Sequence, residues 1–268
     1  MPPIHLSNAS LAPAVLEVVR LTLDYETENG PVRAVENVSF TVGKSERLVL
    51  LGPSGCGKSS ILKTIAGFIQ PTAGNVLLDG QPVKKPGPDR LVVFQEFDQL
   101  LPWKTVRENV AFPLKVARGK SASEARAIAQ DALVKVGLER ALDAYPHTLS
   151  GGMKQRAAIA RALAAAPEIL LMDEPFAALD ALTRANLQND LLELADELKF
   201  TLVFVTHAIE EAVLVGTKLH LLSAHPGRTI GTFETSGFGR DALGTAEFQD
   251  VVQDINDALF RRPAGVAA

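Results

Sequence analysis

Residues 47–60 read Arg47-Leu48-Val49-Leu50-Leu51-Gly52-Pro53-Ser54-Gly55-Cys56-Gly57-Lys58-Ser59-Ser60. Five residues, four of them aliphatic, stop at a glycine, as a strand buried on both faces does. Gly52, then four residues, then Gly57-Lys58-Ser59 is the spacing of a loop that cradles phosphate. Glycines let backbone amides approach an anion with no Cβ in the way. Ile61, Leu62 and Ile65 then repeat at helical spacing, so a helix beginning near Lys58 would add its positive end. In such a loop Lys58 reaches the β- and γ-phosphates and Ser59 ligates Mg²⁺. Cys56 is read as a small structural residue.

Working outward, three more short aliphatic runs end in polar residues: Leu91–Phe94, Ile169–Met172 and Leu202–Val205. Together with Arg47–Leu51 they predict a parallel sheet whose strand ends carry the active residues. Ile169-Leu-Leu-Met-Asp173-Glu174 ends in two carboxylates. Asp173 suits a role in holding Mg²⁺. Glu174 suits polarising an attacking water, a role worth about 10²–10⁴-fold in rate. Alone the pair reads as a solvated turn; beside the phosphate loop it reads as a site.

Leu16–Tyr25 and Val32–Val42 predict an antiparallel layer. Between 96 and 165 the character changes. Thr105-Val-Arg-Glu108 and Ser121-Ala-Ser-Glu124 are capping boxes opening Ala- and Leu-rich helices. This stretch is expected to be a helical insert. Leu187, Leu191, Leu194 and Leu198 fall on one helix face, as do Phe248, Val251, Val252, Ile255 and Leu259. Both stripes are expected to face the core or a docking surface. Residues 1–13 are expected to fray.

The chain has 268 residues, 47% of them hydrophobic, and a formal charge of −4. That suffices for one large domain or two small ones and argues against a nucleic-acid binder. With Cys56 the only cysteine, no internal disulfide can form, which suits a reducing compartment. Met1–Ala14 lacks the basic and apolar segments of a secretory signal. No run approaches the roughly 20 apolar residues of a membrane span. Service at a membrane would therefore go through a partner. The sequons at Asn8 and Asn37 are then chance matches.

Leu149-Ser150-Gly151-Gly152-Met-Lys-Gln155-Arg156, shortly before the Asp-Glu strand, resembles the signature of the ATP-binding cassette (ABC) family. Other elements fall into the family's order over roughly residues 15–225. Tyr25 resembles the aromatic that stacks on adenine. Gln95 is similar to the glutamine that senses Mg²⁺ and the transport partner. Ala178-Leu179-Asp180 resembles the loop that touches the opposite subunit. His207 resembles the histidine that contacts the γ-phosphate.

The resemblance implies an α/β fold: a P-loop NTPase (RecA-like) core, about 14–95 and 165–230, with an antiparallel β layer and a helical subdomain at about 96–164. Residues 231–268 would form a C-terminal helical extension. ATP and Mg²⁺ would be bound by Gly52, Pro53, Ser54, Gly55, Cys56, Gly57, Lys58, Ser59 and Ser60, with Tyr25, Gln95 and Asp173. Ser150, Gly151, Gly152 and Asp180 would come from a second copy, giving a two-fold sandwich. Lys58, Glu174 and His207 would be catalytic.

Tyr145-Pro-His147 before the signature resembles importers. Gln95-Glu-Phe-Asp-Gln-Leu-Leu-Pro-Trp103 and His225-Pro-Gly-Arg228 resemble the nitrate, sulfonate and taurine importer subfamily. Such a subunit would act at the cytoplasmic face of a bacterial inner membrane. Its partners would be a permease and, indirectly, a periplasmic solute-binding protein. A soluble ABC ATPase of DNA repair or translation would carry a coiled coil or tandem cassettes, and neither is present. A P-loop kinase or GTPase fits neither the signature nor His207.

Overall fold

The computed structural model describes residues 14–236 and 238–260. The expectations for residues 1–13, the sequon at Asn8 and residues 261–268 lie outside them. Strand β1 (Ala14–Thr27) pairs antiparallel with β2 (Gly30–Gly43). After β3 (Arg47–Leu51) come α1 (Lys58–Ile65), β4 (Ala73–Leu78), β5 (Gln81–Pro82) and β6 (Arg90–Val93). Then follow α2 (Val106–Arg118), α3 (Ala122–Lys135), α4 (Gly151–Ala164), β7 (Ile169–Asp173), α5 (Ala181–Leu198) and β8 (Thr201–Thr206). The described chain ends with α6 (Ile209–Val215), β9 (Lys218–Leu222), β10 (Thr229–Glu234) and α7 (Ala246–Phe260).

Two sheets result: β2-β1-β4-β5, all antiparallel, and β10-β9-β3-β8-β7-β6, parallel apart from β10. This is the α/β core with an antiparallel layer that the sequence predicts. Strands β4, β5, β9 and β10 are absent from that reading. β10 also runs across the boundary between residues 230 and 231, the expected start of the C-terminal extension.

Successive side chains on a strand point to opposite faces, and β3, β7 and β8 use this to build two cores. Leu48, Leu50, Ile169, Leu171, Val203 and Val205 face the antiparallel layer and α1. Val49, Leu51, Leu170, Met172, Leu202 and Phe204 face the core that includes the helical insert.

Both predicted capping boxes are present. Glu108 N–H donates to Thr105 Oγ1 at 3.2 Å and Thr105 N–H to Glu108 Oε2 at 2.9 Å. The corresponding distances at Ser121 and Glu124 are 3.2 and 3.1 Å. Leu187, Leu191 and Leu194 are buried, but Leu198 is 40% exposed. α5 ends there, and Lys199 in the left-handed region turns the chain into β8. In α7, Phe248 and Ile255 are fully buried, with Val251, Val252 and Leu259 half-buried against the same core. The Phe248 ring meets Phe238 edge-on at 5.8 Å.

Candidate functional site

Parallel strands in register bring their carboxyl ends to one edge. Leu51 is level with Thr206, Asp173 with Val205, and Val93 with Met172. Gly52, His207, Glu174 and Gln95 therefore all leave the sheet from that edge.

The phosphate loop closes onto α1 through Gly57, whose φ of 92° suits a residue without a Cβ. Val35 Cγ2 would stand 2.5 Å from a Cβ placed there, so β2 forms the loop's back wall. Lys58 is 5% exposed and curls over the loop. Its ammonium donates to the carbonyl oxygens of Gly52 at 2.8 Å and Pro53 at 2.9 Å. Ser54 and Gly55 at the tip are exposed. Cys56 is fully buried, with Lys58 Nζ 3.9 Å from its sulfur. Burial pushes its thiol above the ordinary value, and the Lys58 charge only partly opposes this, which suits the packing role.

Ser59 Oγ donates to Asp173 Oδ1 at 2.7 Å. Burial raises the Asp173 carboxyl above its usual range; the Ser59 hydrogen bond opposes this and the Glu174 charge adds to it. Glu174 lies just past β7 with φ 44°, and its Oε2 is 3.0 Å from His207 Nδ1. Tyr25 is exposed on β1, and its hydroxyl donates to Ser60 Oγ at 2.8 Å.

The signature residues stand apart. Ser150 caps α4, accepting from Met153 N–H at 3.3 Å. Gly151 and Gly152 form the first turn of α4, which packs on α2, α3, α5 and β6. Gly152 lets α4 approach α5, where a Cβ would meet Thr183 Cγ2 at 2.6 Å. Asp180 caps α5, accepting from Thr183 N–H at 3.0 Å. That bond holds its carboxyl below the usual range. Among the described residues, none of these four is bonded to the phosphate loop of its own chain.

Sequence reading missed how the residues flanking Gln95 are tied to the signature helix. Gln99 Nε2 donates to the carbonyl oxygens of Phe94 and Glu96, both at 3.0 Å, and to Gln155 Oε1 at 3.3 Å. Gln155 is fully buried on α4, and Arg161 Nη1 donates to Gln99 O at 2.7 Å. The burial of a glutamine beside the signature carries no local pattern in sequence.

A family model described as "ABC transporter" matches residues 35–177. The nitrate import ATP-binding protein NrtD of Synechococcus elongatus is 45% identical over 241 residues, spanning 90% of this chain and 86% of that protein. The taurine import ATP-binding protein TauB of Rhizobium johnstonii is 44% identical over 236 residues, spanning 85% and 89%. Among solved structures, a dimeric ATP-binding cassette in a post-hydrolysis state bound to ADP and Pi superposes with a TM-score of 0.73 at 34% identity. The match covers 83% of this chain and 100% of that one. The family match, these relatives and the loop, strand-end and signature geometry agree: the chain belongs to the ABC transporter family, as an ATP-binding, ATP-hydrolysing cassette.

Proposed function

We propose that the chain is the nucleotide-binding subunit of a bacterial importer that takes up a solute of the nitrate, sulfonate or taurine kind. Two copies would sandwich ATP, each phosphate loop facing the Ser150, Gly151 and Gly152 turn of the other, with Asp180 at the contact. The observation that carries this is the separation within one chain. Loop, carboxylates and histidine share one sheet edge, while the signature caps a helix in another layer, leaving each half to find its complement in a second copy.

Within the sandwich, Lys58 and the backbone N–H groups of the Gly52–Ser60 loop, Pro53 having none, hold the phosphates and Tyr25 stacks on the base. Ser59 and Asp173 offer only oxygen donors, as a hard cation prefers, and Asp173 is a desolvated carboxylate that a cation would keep ionised. Ser59 and Asp173, with Gln95 as a further oxygen donor, would hold Mg²⁺, which would offset charge on the phosphate oxygens. Glu174 takes a proton from water as the water oxygen bonds to the γ-phosphorus and the bond to the ADP oxygen breaks. His207, held by Glu174, contacts the γ-phosphate.

No helix among the described residues is long and apolar enough to cross a membrane. The subunit would sit peripherally at the cytoplasmic face. Its helical subdomain, about 96–164, would carry Trp103 to a permease that a periplasmic binding protein supplies. With β10 part of the core sheet, the extension beyond the ATPase domain is read as the residues that follow Glu234. The deciding experiment is uptake of labelled nitrate, sulfonate and taurine by vesicles containing the permease, with and without this subunit and MgATP. Uptake indifferent to the subunit would overturn the reading.

A further inference from the structure

The turn His225-Pro-Gly-Arg228, between β9 and β10, takes no part in the chemistry above, yet it is built into the back of the phosphate loop. Gly227 N–H donates to Ala34 O and Glu36 N–H donates to Gly227 O, each at 2.9 Å. These bonds make an isolated parallel bridge to Val35 of β2. Ser223 closes the turn: its Oγ accepts from Arg228 N–H at 2.9 Å and donates to Pro226 O at 3.0 Å.

A Cβ on Gly227 would stand 2.0 Å from the Cys56 carbonyl oxygen. Contact, not an unusual φ, is therefore what any side chain here would violate. The Cys56–Gly57 peptide is planar and trans, so its oxygen and the Gly57 N–H point opposite ways. Seating the oxygen against Gly227 aims that N–H to the other side, away from the turn.

The neighbouring Arg228 starts a chain of ion pairs. Its Nε donates to Glu36 Oε2 at 2.7 Å and its Nη2 lies 2.5 Å from the same oxygen. Glu36 Oε1 accepts from Arg33 Nη1 at 3.3 Å. Arg33 grips Asp24 through Nε at 2.8 Å and Nη2 at 3.2 Å. Asp24 is the residue before Tyr25 on β1.

We propose that the Pro226-Gly227-Arg228 turn is a positioning element for the nucleotide, acting on both ends of it. Gly227 sets the Cys56–Gly57 peptide on the phosphate side. Arg228, through Glu36, Arg33 and Asp24, holds the strand carrying Tyr25 on the base side. This rests on reading Gly52–Ser59 as the phosphate site and Tyr25 as the base platform.

The test measures binding of MgATP and of inorganic triphosphate, which has no base, to the full chain by calorimetry, alongside melting without nucleotide. Gly227→Ala should weaken both ligands, by about tenfold. Arg228→Gln should weaken MgATP by a few-fold and leave inorganic triphosphate unchanged, and Arg228→Lys should recover part of the loss. Should Gly227→Ala not fold, Ser223→Ala, which removes the side-chain bonds to Pro226 O and Arg228 N–H that close the turn, takes its place and should likewise weaken both ligands. Variants that melt earlier but bind both ligands as wild type does would make the turn a plain structural staple and overturn the proposal. A wild type that binds MgATP while Arg228→Gln loses both ligands equally would overturn the base-side half. A wild type that binds neither ligand would sink the phosphate-site reading, and this inference with it.

Discussion

Glu174 Oε2 stands 3.0 Å from Nδ1 of His207, although the two residues are 33 positions apart. β7 and β8 are parallel neighbours, so the residues just past their ends face each other. Glu174 N–H donates to Val205 O at 3.0 Å, and its φ of 44° costs about 1–2 kcal/mol for a residue with a Cβ. The backbone is strained where the carboxylate leaves the strand. Glu174→Gln keeps the shape and a hydrogen-bonding oxygen but loses the base. We expect nucleotide binding to persist while hydrolysis falls about 10²–10⁴-fold, so that an ATP-bound pair accumulates on sizing chromatography with MgATP. Near-normal turnover would place the base elsewhere.

Lys58→Ala removes the cation that lies over the phosphate loop. The wild type should gain about 2.7 kcal/mol from MgATP at a hundredfold excess over the dissociation constant, and the variant should lose most of that gain. Thermal melting with and without MgATP measures both. A wild-type curve indifferent to saturating nucleotide would count against the binding site itself.

Trp103 is 70% exposed on a turn that is firmly pinned. Buried Asn109 accepts from Leu101 N–H at 2.7 Å and donates to the carbonyl oxygens of Leu101 and Lys104, each at 3.1 Å. Leu100 in the same segment is buried, so the segment packs inward through Leu100 and displays Trp103 at the surface. Trp103→Ala should change stability by no more than about 0.5 kcal/mol and leave basal ATPase intact, while weakening assembly with the permease. Co-purification with the permease, beside a melting curve, checks this; full assembly by a stable variant would remove the docking role.

His220 is 1% exposed; burial, reinforced by the Lys218 charge, pushes its pKa down from 6.5 to about 4. Its Nε2 pairs with Thr229 Oγ1 at 3.0 Å, and its ring lies 5.0 Å from that of Phe40. The unfolded chain takes up this proton near 6.5 and the folded one only near 4. The neutral ring's stabilisation is thus complete above about 6.5 and is lost as pH falls toward 4, on the order of 3 kcal/mol in all. His220→Leu should flatten the difference in melting temperature between pH 7 and pH 4.5 relative to wild type. An equally steep acid dependence in the variant would show that other groups carry it.

Much of the architecture is written locally. The phosphate loop needs only glycines between a strand and a helix, and each capping box is closed within four residues. The aliphatic runs of β3, β7 and β8 announce burial on both faces. By itself the sequence determined the parallel core and the helical insert, and it singled out Gly52, Gln95, Asp173, Glu174 and His207, which lie at or just past the ends of the parallel strands. It left out β4, β5 and β10, which are short or half-exposed and owe their form to neighbouring strands, and β9, which is buried but whose aliphatic run is broken by His220. It placed Leu198 with the buried leucines because periodicity does not know where a helix outruns its core. Only tertiary structure decided that Glu174 meets His207, that Ser59 meets Asp173, and that Tyr25 leans on Ser60. It alone put Gly227 behind Cys56, 171 positions away by residue number. Such contacts are made by chain crossings between distant segments, and local propensity holds no record of which segments will cross.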